Sequence, residues 1–143
     1  MNLSIYEQLQ NVDKVSNKQE RLNLLQQYAK ESSALKIILD LTFNPKWNWL
    51  LPSGKPPYNA SPKEADLQNV LKLESRRLQY FVNTPQGNAV KPLRREVMFI
   101  ELLESVDHND AKLLIAVKEK TLPFKNVTKK LVKEAFPDET QSW

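Results

Sequence analysis

The sequence has 143 residues, which suffices for one domain with a hydrophobic core, and 41% of the residues are hydrophobic. No cysteine is present, which excludes a disulfide framework, a thiolate metal site and a cysteine nucleophile. The formal net charge of +4 suits an anionic partner, and no apolar run is long enough to span a membrane. The first residues are too polar for a signal peptide, so we expect a cytoplasmic protein without a membrane partner.

Only 2 glycines occur beside 9 prolines, and long stretches carry apolar residues at helical spacing. This pattern predicts an all-α fold, a single-domain helical bundle of about seven helices with one long loop rich in tryptophan and proline. The domain is expected to cover residues 1–143, with an ordered core over about residues 3–137 and a polar C-terminal tail over residues 138–143.

Three amphipathic patterns fill the first third of the chain. An apolar stripe over residues 3–13 predicts a short helix. Ser16 and Gln19 have the spacing of a capping box and predict the start of a second helix. Ser32 or Ser33 starts a third helix, which is apolar nearly all round and should therefore be the most buried one.

The long loop covers residues 44–62, where several prolines prevent a regular helix. Trp47, Trp49 and Tyr58 give this loop a large apolar surface, so we expect it to be ordered. Lys46 beside the two tryptophans is one candidate contact with nucleic acid, through base stacking next to a phosphate. The alternative is that the aromatic side chains anchor the loop to the core, and burial preferences favour it.

After this loop, a long helix is predicted from Ser61 or Pro62 through Val82. A polar loop over residues 84–91 follows. Pro92 is well placed as the first residue of the next helix, because proline needs no hydrogen-bond partner for its nitrogen there.

Arg94 and Arg95 lie near the start of the helix that begins at Pro92. Cations at this end oppose the helix dipole. An anion-binding role would explain them, and chance placement on the surface explains them equally well. We include both as further candidate contacts with nucleic acid.

The inventory of catalytic residues is small. His108 is the only histidine, so a histidine-based triad or a histidine-rich metal site is not expected. Glu101 with Glu104 and Asp107 with Asp110 are acidic pairs three residues apart, which usually mark an exposed helix face. No glycine-rich phosphate loop is present. We therefore predict no enzyme activity, no catalytic residues, no metal and no cofactor.

Positive charge is concentrated in residues 112–133, where seven lysines and one glutamate give a net charge of +6. A helix start in this region would offer free backbone N–H groups to a phosphate. The alternative is a solvated lysine face on an amphipathic helix. The candidate nucleic-acid contacts are Lys118, Lys120, Lys125, Asn126, Thr128, Lys129, Lys130 and Lys133.

Three segments resemble a known family: SNKQERLNLL at residues 16–25, LKIILDLTFNPKWNWLL at 35–51 and VKEKTLPFKNVTKKLVKEAFPDE at 117–139. They are similar to the N-terminal DNA-binding domain of ATP-dependent DNA ligases, especially the small version found in T-even-type phages. The match includes a Leu-Thr-aromatic step at Leu41 and a final helix that ends in aromatic-Pro. The family typically has a turn of the Gly-Ala/Val-Ser type where this chain has residues 126–128.

The resemblance implies an all-helical domain that holds duplex DNA through the minor groove around a nick. By matching position it implies backbone contacts from Lys120, Lys125, Asn126, Thr128, Lys129 and Lys130. The adenylation motif Lys-x-Asp-Gly of the ligases is absent from this sequence. The resemblance therefore implies a free-standing DNA-binding module of phage origin, active in the host cytoplasm, and not a complete ligase.

The leading hypothesis is a non-catalytic protein that binds double-stranded DNA, intact or nicked, through its sugar-phosphate backbone with low sequence specificity. The alternative is a protein-interaction module that regulates a phage or host replication protein, with anchors from the Trp47–Tyr58 loop. A nuclease accessory that uses the acidic pairs is a third and weaker hypothesis.

Overall fold

The computed structural model describes residues 3–143, so Met1 and Asn2 of the expected domain lie outside the described part of the chain. Within residues 3–143 the protein has eight α-helices, one 3-10 helix and no strand longer than a single β-bridge. The all-α prediction is confirmed. The helices are α1 Ile5–Lys14, α2 Lys18–Glu31, α3 Ser33–Phe43, α4 Val70–Glu74, α5 Pro85–Ala89, α6 Pro92–Ser105, α7 His108–Lys118 and α8 Lys129–Ala135, and the 3-10 helix is Ser75–Phe81. No helix among these residues is long and apolar enough to cross a bilayer.

Side-chain caps fix the first two helix starts. Ser4 and Glu7 form a reciprocal capping box at α1, with hydrogen bonds of 2.9 and 3.1 Å. The capping box predicted at Ser16 for α2 is wrong, because the cap is the next residue, Asn17, whose side chain accepts from the N–H of Glu20 at 3.0 Å. An amide oxygen serves here as well as a hydroxyl, and a pattern in the sequence does not distinguish adjacent capping residues.

The core forms around α3, which contacts α2, α4, the 3-10 helix and α7. Leu35, Ile38 and Leu39 of this helix are buried, as its nearly continuous apolar sequence predicts. Ser32 caps α3 by accepting a hydrogen bond from the N–H of Ala34 at 3.2 Å. The long loop follows directly from the end of α3, and its partly buried residues Trp47, Trp49, Leu51 and Tyr58 pack against the core.

The long helix predicted through Val82 is wrong. Residues 62–69 form short turns joined by irregular backbone, and the five-residue α4 then passes directly into the 3-10 helix. Ser75, Leu78 and Phe81 of this 3-10 helix are buried, a spacing of three residues that matches three residues per turn. The N–H of Leu50 in the long loop donates to the carbonyl of Phe81 at 2.8 Å, so the loop takes the place of a continued helix.

The polar loop predicted over residues 84–91 contains the short helix α5, capped by Thr84. A side chain at Gly87 would place its Cβ 1.9 Å from the carbonyl oxygen of Val82, so only glycine fits this helix against the preceding strand-like backbone. Pro92 is the first residue of α6, as predicted. At the other end of the chain, the segment predicted as a polar tail contains Thr140, which is buried and donates to the carbonyl of Phe136 at 2.7 Å.

Candidate nucleic-acid interface

Helix α8 presents lysines to solvent because its apolar residues face the core. Thr128 caps the helix by accepting a hydrogen bond from the N–H of Leu131 at 3.1 Å. The buried side chains are Leu131, Val132 and Ala135. The outer side carries Lys129 and Lys130, which are exposed, and Lys133, which is half-buried. Three of the predicted site residues therefore share one face of one helix.

A shallow concavity of about 150 Å³ lies between the start of α2 and the segment that leads into α8. Its cationic lining residues are Lys18 and Arg21 from α2 and Lys125 and Lys130 from the α8 region. Thr128 and Glu134 also line it. We call the set Lys18, Arg21, Lys125, Lys129, Lys130 and Lys133 the α8 surface. Sequence reasoning missed Lys18 and Arg21, because about a hundred residues separate them from α8 along the chain.

Few carboxylates lie close to the cations of the α8 surface. The ammonium group of Lys18 pairs with the carboxylate of Glu134 at 2.8 Å. Among residues 3–143, no carboxylate oxygen lies within 4.0 Å of the ammonium groups of Lys125, Lys129, Lys130 or Lys133. Arg21 donates from Nε and Nη2 to the carbonyl of Val15 at 3.0 and 2.6 Å. Four lysines therefore keep their charge for an external anion.

Both nitrogens of Asn126 donate hydrogen bonds within the protein. Its backbone N–H donates to the carboxylate of Asp13 at 2.8 Å, and its side-chain Nδ2 donates to the backbone carbonyl of Asp13 at 2.9 Å. The N–H of Leu131 is likewise taken by the hydroxyl oxygen of Thr128. The expectation of free backbone donors at the start of α8 is therefore not met at these two positions.

Lys118 is not at the surface, although the sequence placed it in the interface. Its side chain is buried in α7, and its Nζ donates to the backbone carbonyl of Pro52 at 2.9 Å and to the Glu119 carboxylate at 3.3 Å. A buried lysine needs such partners because an unpaired buried charge is costly. Lys118 therefore fixes the long loop to α7.

The side chain of Lys120 also forms hydrogen bonds within the protein. Its Nζ donates to three backbone carbonyls, those of Leu41 at 3.1 Å, Asn44 at 2.8 Å and Trp47 at 3.1 Å. An ammonium group has three protons, so no donor is left for DNA. Burial lowers the pKa of Lys120 below its ordinary value. Its backbone has φ of 62°, and this left-handed turn directs the side chain to the end of α3.

Arg95 joins the same group of internal cations. Its guanidinium donates to the backbone carbonyls of Leu50, Gly87 and Val90 at 3.2, 2.8 and 2.7 Å. The side chain is buried, so it connects the long loop, α5 and α6 instead of contacting an external anion. Arg94 is exposed on α6, with its Nη1 3.7 Å from the Glu101 carboxylate, and does not belong to the α8 surface.

The tryptophans of the long loop are tied to α3. Trp47 Nε1 donates to the carboxylate of Asp40 at 2.7 Å, and Trp49 Nε1 donates to the carbonyl of Leu41 at 3.2 Å. Lys46 is exposed, with its ammonium group 4.7 Å from the centre of the Trp47 ring. These contacts support the interpretation that the tryptophans anchor the loop, because each indole uses its only N–H donor in a hydrogen bond within the protein.

The described residues contain no assembled metal site. No group of three or more histidine, cysteine, aspartate or glutamate side chains within residues 3–143 is arranged to hold a metal ion. His108 Nδ1 lies 3.1 Å from the carbonyl of Ser61, where it connects α7 to the end of the long loop.

Comparison with known proteins gives one match. Residues 8–123 fit the model of a family described as a family of unknown function, DUF6433. The match runs from within α1 to beyond the end of α7 and stops before Lys125. No curated protein and no solved structure matches the chain. Because the match covers most of the sequence, the protein belongs to the family of unknown function DUF6433.

Proposed function

We propose that the protein binds double-stranded DNA without catalysis, through contacts between the α8 surface and the sugar-phosphate backbone. The observation that carries this proposal is the meeting of cations from α2 and α8 around one concavity. Lys125 and Lys130 there have no carboxylate partner within residues 3–143, and the one acidic group in the lining is Glu134. Polyanionic DNA is a natural partner for such a local concentration of lysines.

The donor types favour phosphate over base edges. Lysine and arginine side chains donate and do not accept, which fits phosphate oxygens. Asn126 has the side chain best suited to read adenine, and its amide donates to Asp13 instead. The proposed binding therefore has low sequence specificity, and its strength depends on charge neutralisation.

The resemblance of residues 16–25, 35–51 and 117–139 to the N-terminal DNA-binding domain of ATP-dependent DNA ligases supports the same class of partner. Two of the three segments, 16–25 and 117–139, contain the residues of the α8 surface. A phage origin and a location in the host cytoplasm belong to this proposal, and the double-stranded DNA is either intact or nicked. A turn without glycine at residues 126–128 distinguishes this chain from that family.

The alternative function, a regulatory protein adaptor, was expected to take its anchors from the Trp47–Tyr58 loop. The indole groups of Trp47 and Trp49 are hydrogen-bonded to α3 and only partly exposed, which leaves this loop with few apolar anchors for a partner. The adaptor predicts no DNA binding at physiological salt and a stable protein complex. DNA binding is therefore the better-supported function.

The proposal is tested by measuring fluorescence anisotropy of labelled nicked, intact and single-stranded DNA between about 50 and about 200 mM salt. Lys125, Lys129 and Lys130 are replaced together by glutamate. The matched control replaces three other exposed lysines, Lys63, Lys91 and Lys112, by glutamate. Both variants then have the same net charge. We expect the first variant to lose binding and the control to retain most of it. Equal losses in the two variants, or binding that does not weaken with salt, would overturn the proposal.

A further inference from the structure

A cleft of about 330 Å³ lies between α3, the start of the long loop and the 3-10 helix. We call it the Trp47 cleft, and its lining includes Ile37, Leu41, Trp47, Arg76, Gln79 and Val82. Most of these side chains are apolar, and the volume falls within the range of about 300–1,000 Å³ that is usual for ligand pockets. The cleft therefore has room for one aromatic ring system.

Trp47 gives the cleft an aromatic side chain whose orientation is fixed. Its Nε1 donates to the carboxylate of Asp40 at 2.7 Å, and the residue remains partly exposed. Stacking of a nucleobase uses the π surface of an indole and does not need its N–H group. The hydrogen bond that anchors the loop is thus compatible with stacking, and it holds the ring in place before a ligand binds.

Two cations without a carboxylate partner flank the cleft. Arg76 is exposed and lines it, and the ammonium group of Lys46 lies 4.7 Å from the centre of the Trp47 ring. Among residues 3–143, no carboxylate oxygen lies within 4.0 Å of either cationic group. Asp40 is the one acidic residue of the lining, and its two oxygens accept from Asn44 Nδ2 and Trp47 Nε1. The unpaired charges favour a ligand that carries an anionic group.

The Trp47 cleft lies next to the α8 surface. Asp40 of its lining also lines a smaller cavity together with Val132 of α8. Burial lowers the pKa of Lys120, the carboxylate of Asp40 opposes this shift, and the positive charge of Lys129 lowers the pKa further. Salt screens such effects beyond about 10 Å, so Lys129 lies near Lys120, which donates to the carbonyl of Trp47 at 3.1 Å. A polyanion on the α8 surface can therefore reach the cleft.

We propose that the Trp47 cleft takes one unpaired base of the DNA that the α8 surface binds. The base stacks against the Trp47 side chain, and the adjoining phosphates lie at Lys46 and Arg76. A fully paired duplex keeps its bases inside the helix, so the preferred ligand is duplex DNA with an extrahelical base. This inference rests on the proposed function and narrows its ligand.

The test measures fluorescence anisotropy of three labelled duplexes with the full chain. One duplex is fully paired, one has a single bulged adenine, and one has a bulged abasic site at the same position. The abasic bulge keeps the irregular backbone and lacks the base. We expect the adenine bulge to bind at least about fivefold more tightly than the other two duplexes. Equal affinity for the adenine and abasic bulges would overturn the inference and leave the proposed function standing, whereas no binding to any duplex would overturn both.

Two arginines offer a matched pair of variants for the same measurement. Arg76→Gln and Arg77→Gln each remove one exposed charge, but Arg77 pairs with Glu74 at 2.7 Å and does not line the cleft. We expect the first variant to lower the preference for the adenine bulge at least about twofold and the second to retain it. An unchanged preference in Arg76→Gln would overturn the inference, whether or not variants of Trp47 fold.

Trp47 itself is tested with two replacements, each checked for folding by circular dichroism. Trp47→Phe removes the N–H group and keeps an aromatic ring, so it should retain most of the preference for the adenine bulge. Trp47→Leu removes the ring as well and should abolish this preference while salt-dependent binding of the paired duplex persists. A folded Trp47→Leu variant with the wild-type preference would overturn the inference.

Discussion

Asp13 and Asn126 form a double connection between the end of α1 and the segment before α8. The carboxylate of Asp13 accepts from the backbone N–H of Asn126 at 2.8 Å, and its backbone carbonyl accepts from Nδ2 at 2.9 Å. The two residues are 113 positions apart. This pair fixes the position of the α8 surface relative to the first helix. It uses the donors of Asn126, which the sequence predicts as a DNA contact.

Replacing Asp13 by alanine should lower the free energy of unfolding by about 1–3 kcal/mol, because it leaves the backbone N–H of Asn126 without its acceptor. Urea denaturation followed by circular dichroism measures this loss. Asp13→Asn is the matched control, because its amide oxygen can still accept the same hydrogen bond. Equal stability of the alanine variant and the wild type would show that this connection does not hold the segment.

Lys120 leads to a second prediction about stability. Lys120→Met keeps the length of the side chain and removes the donor to the carbonyls of Leu41, Asn44 and Trp47. We expect the free energy of unfolding to fall by about 2–4 kcal/mol, since hydrogen bonds from a charged group are among the stronger ones. Lys112→Met, at an exposed position of α7, should change it by less than about 0.5 kcal/mol. A loss of DNA binding without a loss of stability would instead assign Lys120 to the interface.

The internal cations explain what the sequence could and could not predict. The cap at Ser32 and the helix start at Pro92 depend on neighbours in the chain, and the predictions made from them are confirmed. Whether Lys118 or Lys120 faces solvent depends on carbonyl groups about seventy residues away, at Pro52 and around the end of α3. No local pattern in charge or hydrophobicity carries that information.

The same reason applies to the region after the long loop. The apolar spacing from Pro62 to Val82 is compatible with a helix, and the sequence predicts one. In the structure, Leu50 and Trp49 pair with the backbone at Phe81 and Val82, and this long-range contact replaces the helix end. Of the α8 surface, the lysines of one helix face could be predicted from their spacing, whereas the contribution of Lys18 required the packing of α2 against α8.

Asp110 should make stability depend on pH. It is fully buried, its Oδ1 accepts from the N–H of Tyr6 at 2.9 Å, and its Oδ2 has no hydrogen-bond partner among residues 3–143. Burial raises the pKa of this carboxyl group to about 7, and the hydrogen bond from Tyr6 opposes the shift. The unfolded value is about 3.9, so the folded protein binds the proton more tightly. Its stabilising contribution is complete below pH 4 and is lost as the pH rises to about 7.

The difference between the two pKa values corresponds to a loss on the order of 4 kcal/mol across this range. Asp110→Asn keeps an oxygen that can accept from Tyr6 and removes the titration. Urea denaturation at several pH values between 4 and 8 should show a decline for the wild type that is much smaller in the variant. Parallel pH profiles of the two proteins would contradict the assignment of the decline to Asp110.

Glu134 should weaken DNA binding in the wild-type protein, because its carboxylate pairs with Lys18 at 2.8 Å on the α8 surface. Glu134→Gln frees the ammonium group for a phosphate, so we expect affinity to rise roughly two- to fivefold and the salt slope to steepen by about 1. Anisotropy titrations over a salt series measure both quantities. Glu64→Gln removes the same charge elsewhere and should change neither. In a Lys18→Gln background the steeper slope should disappear, and its persistence there would place the added phosphate contact on another residue.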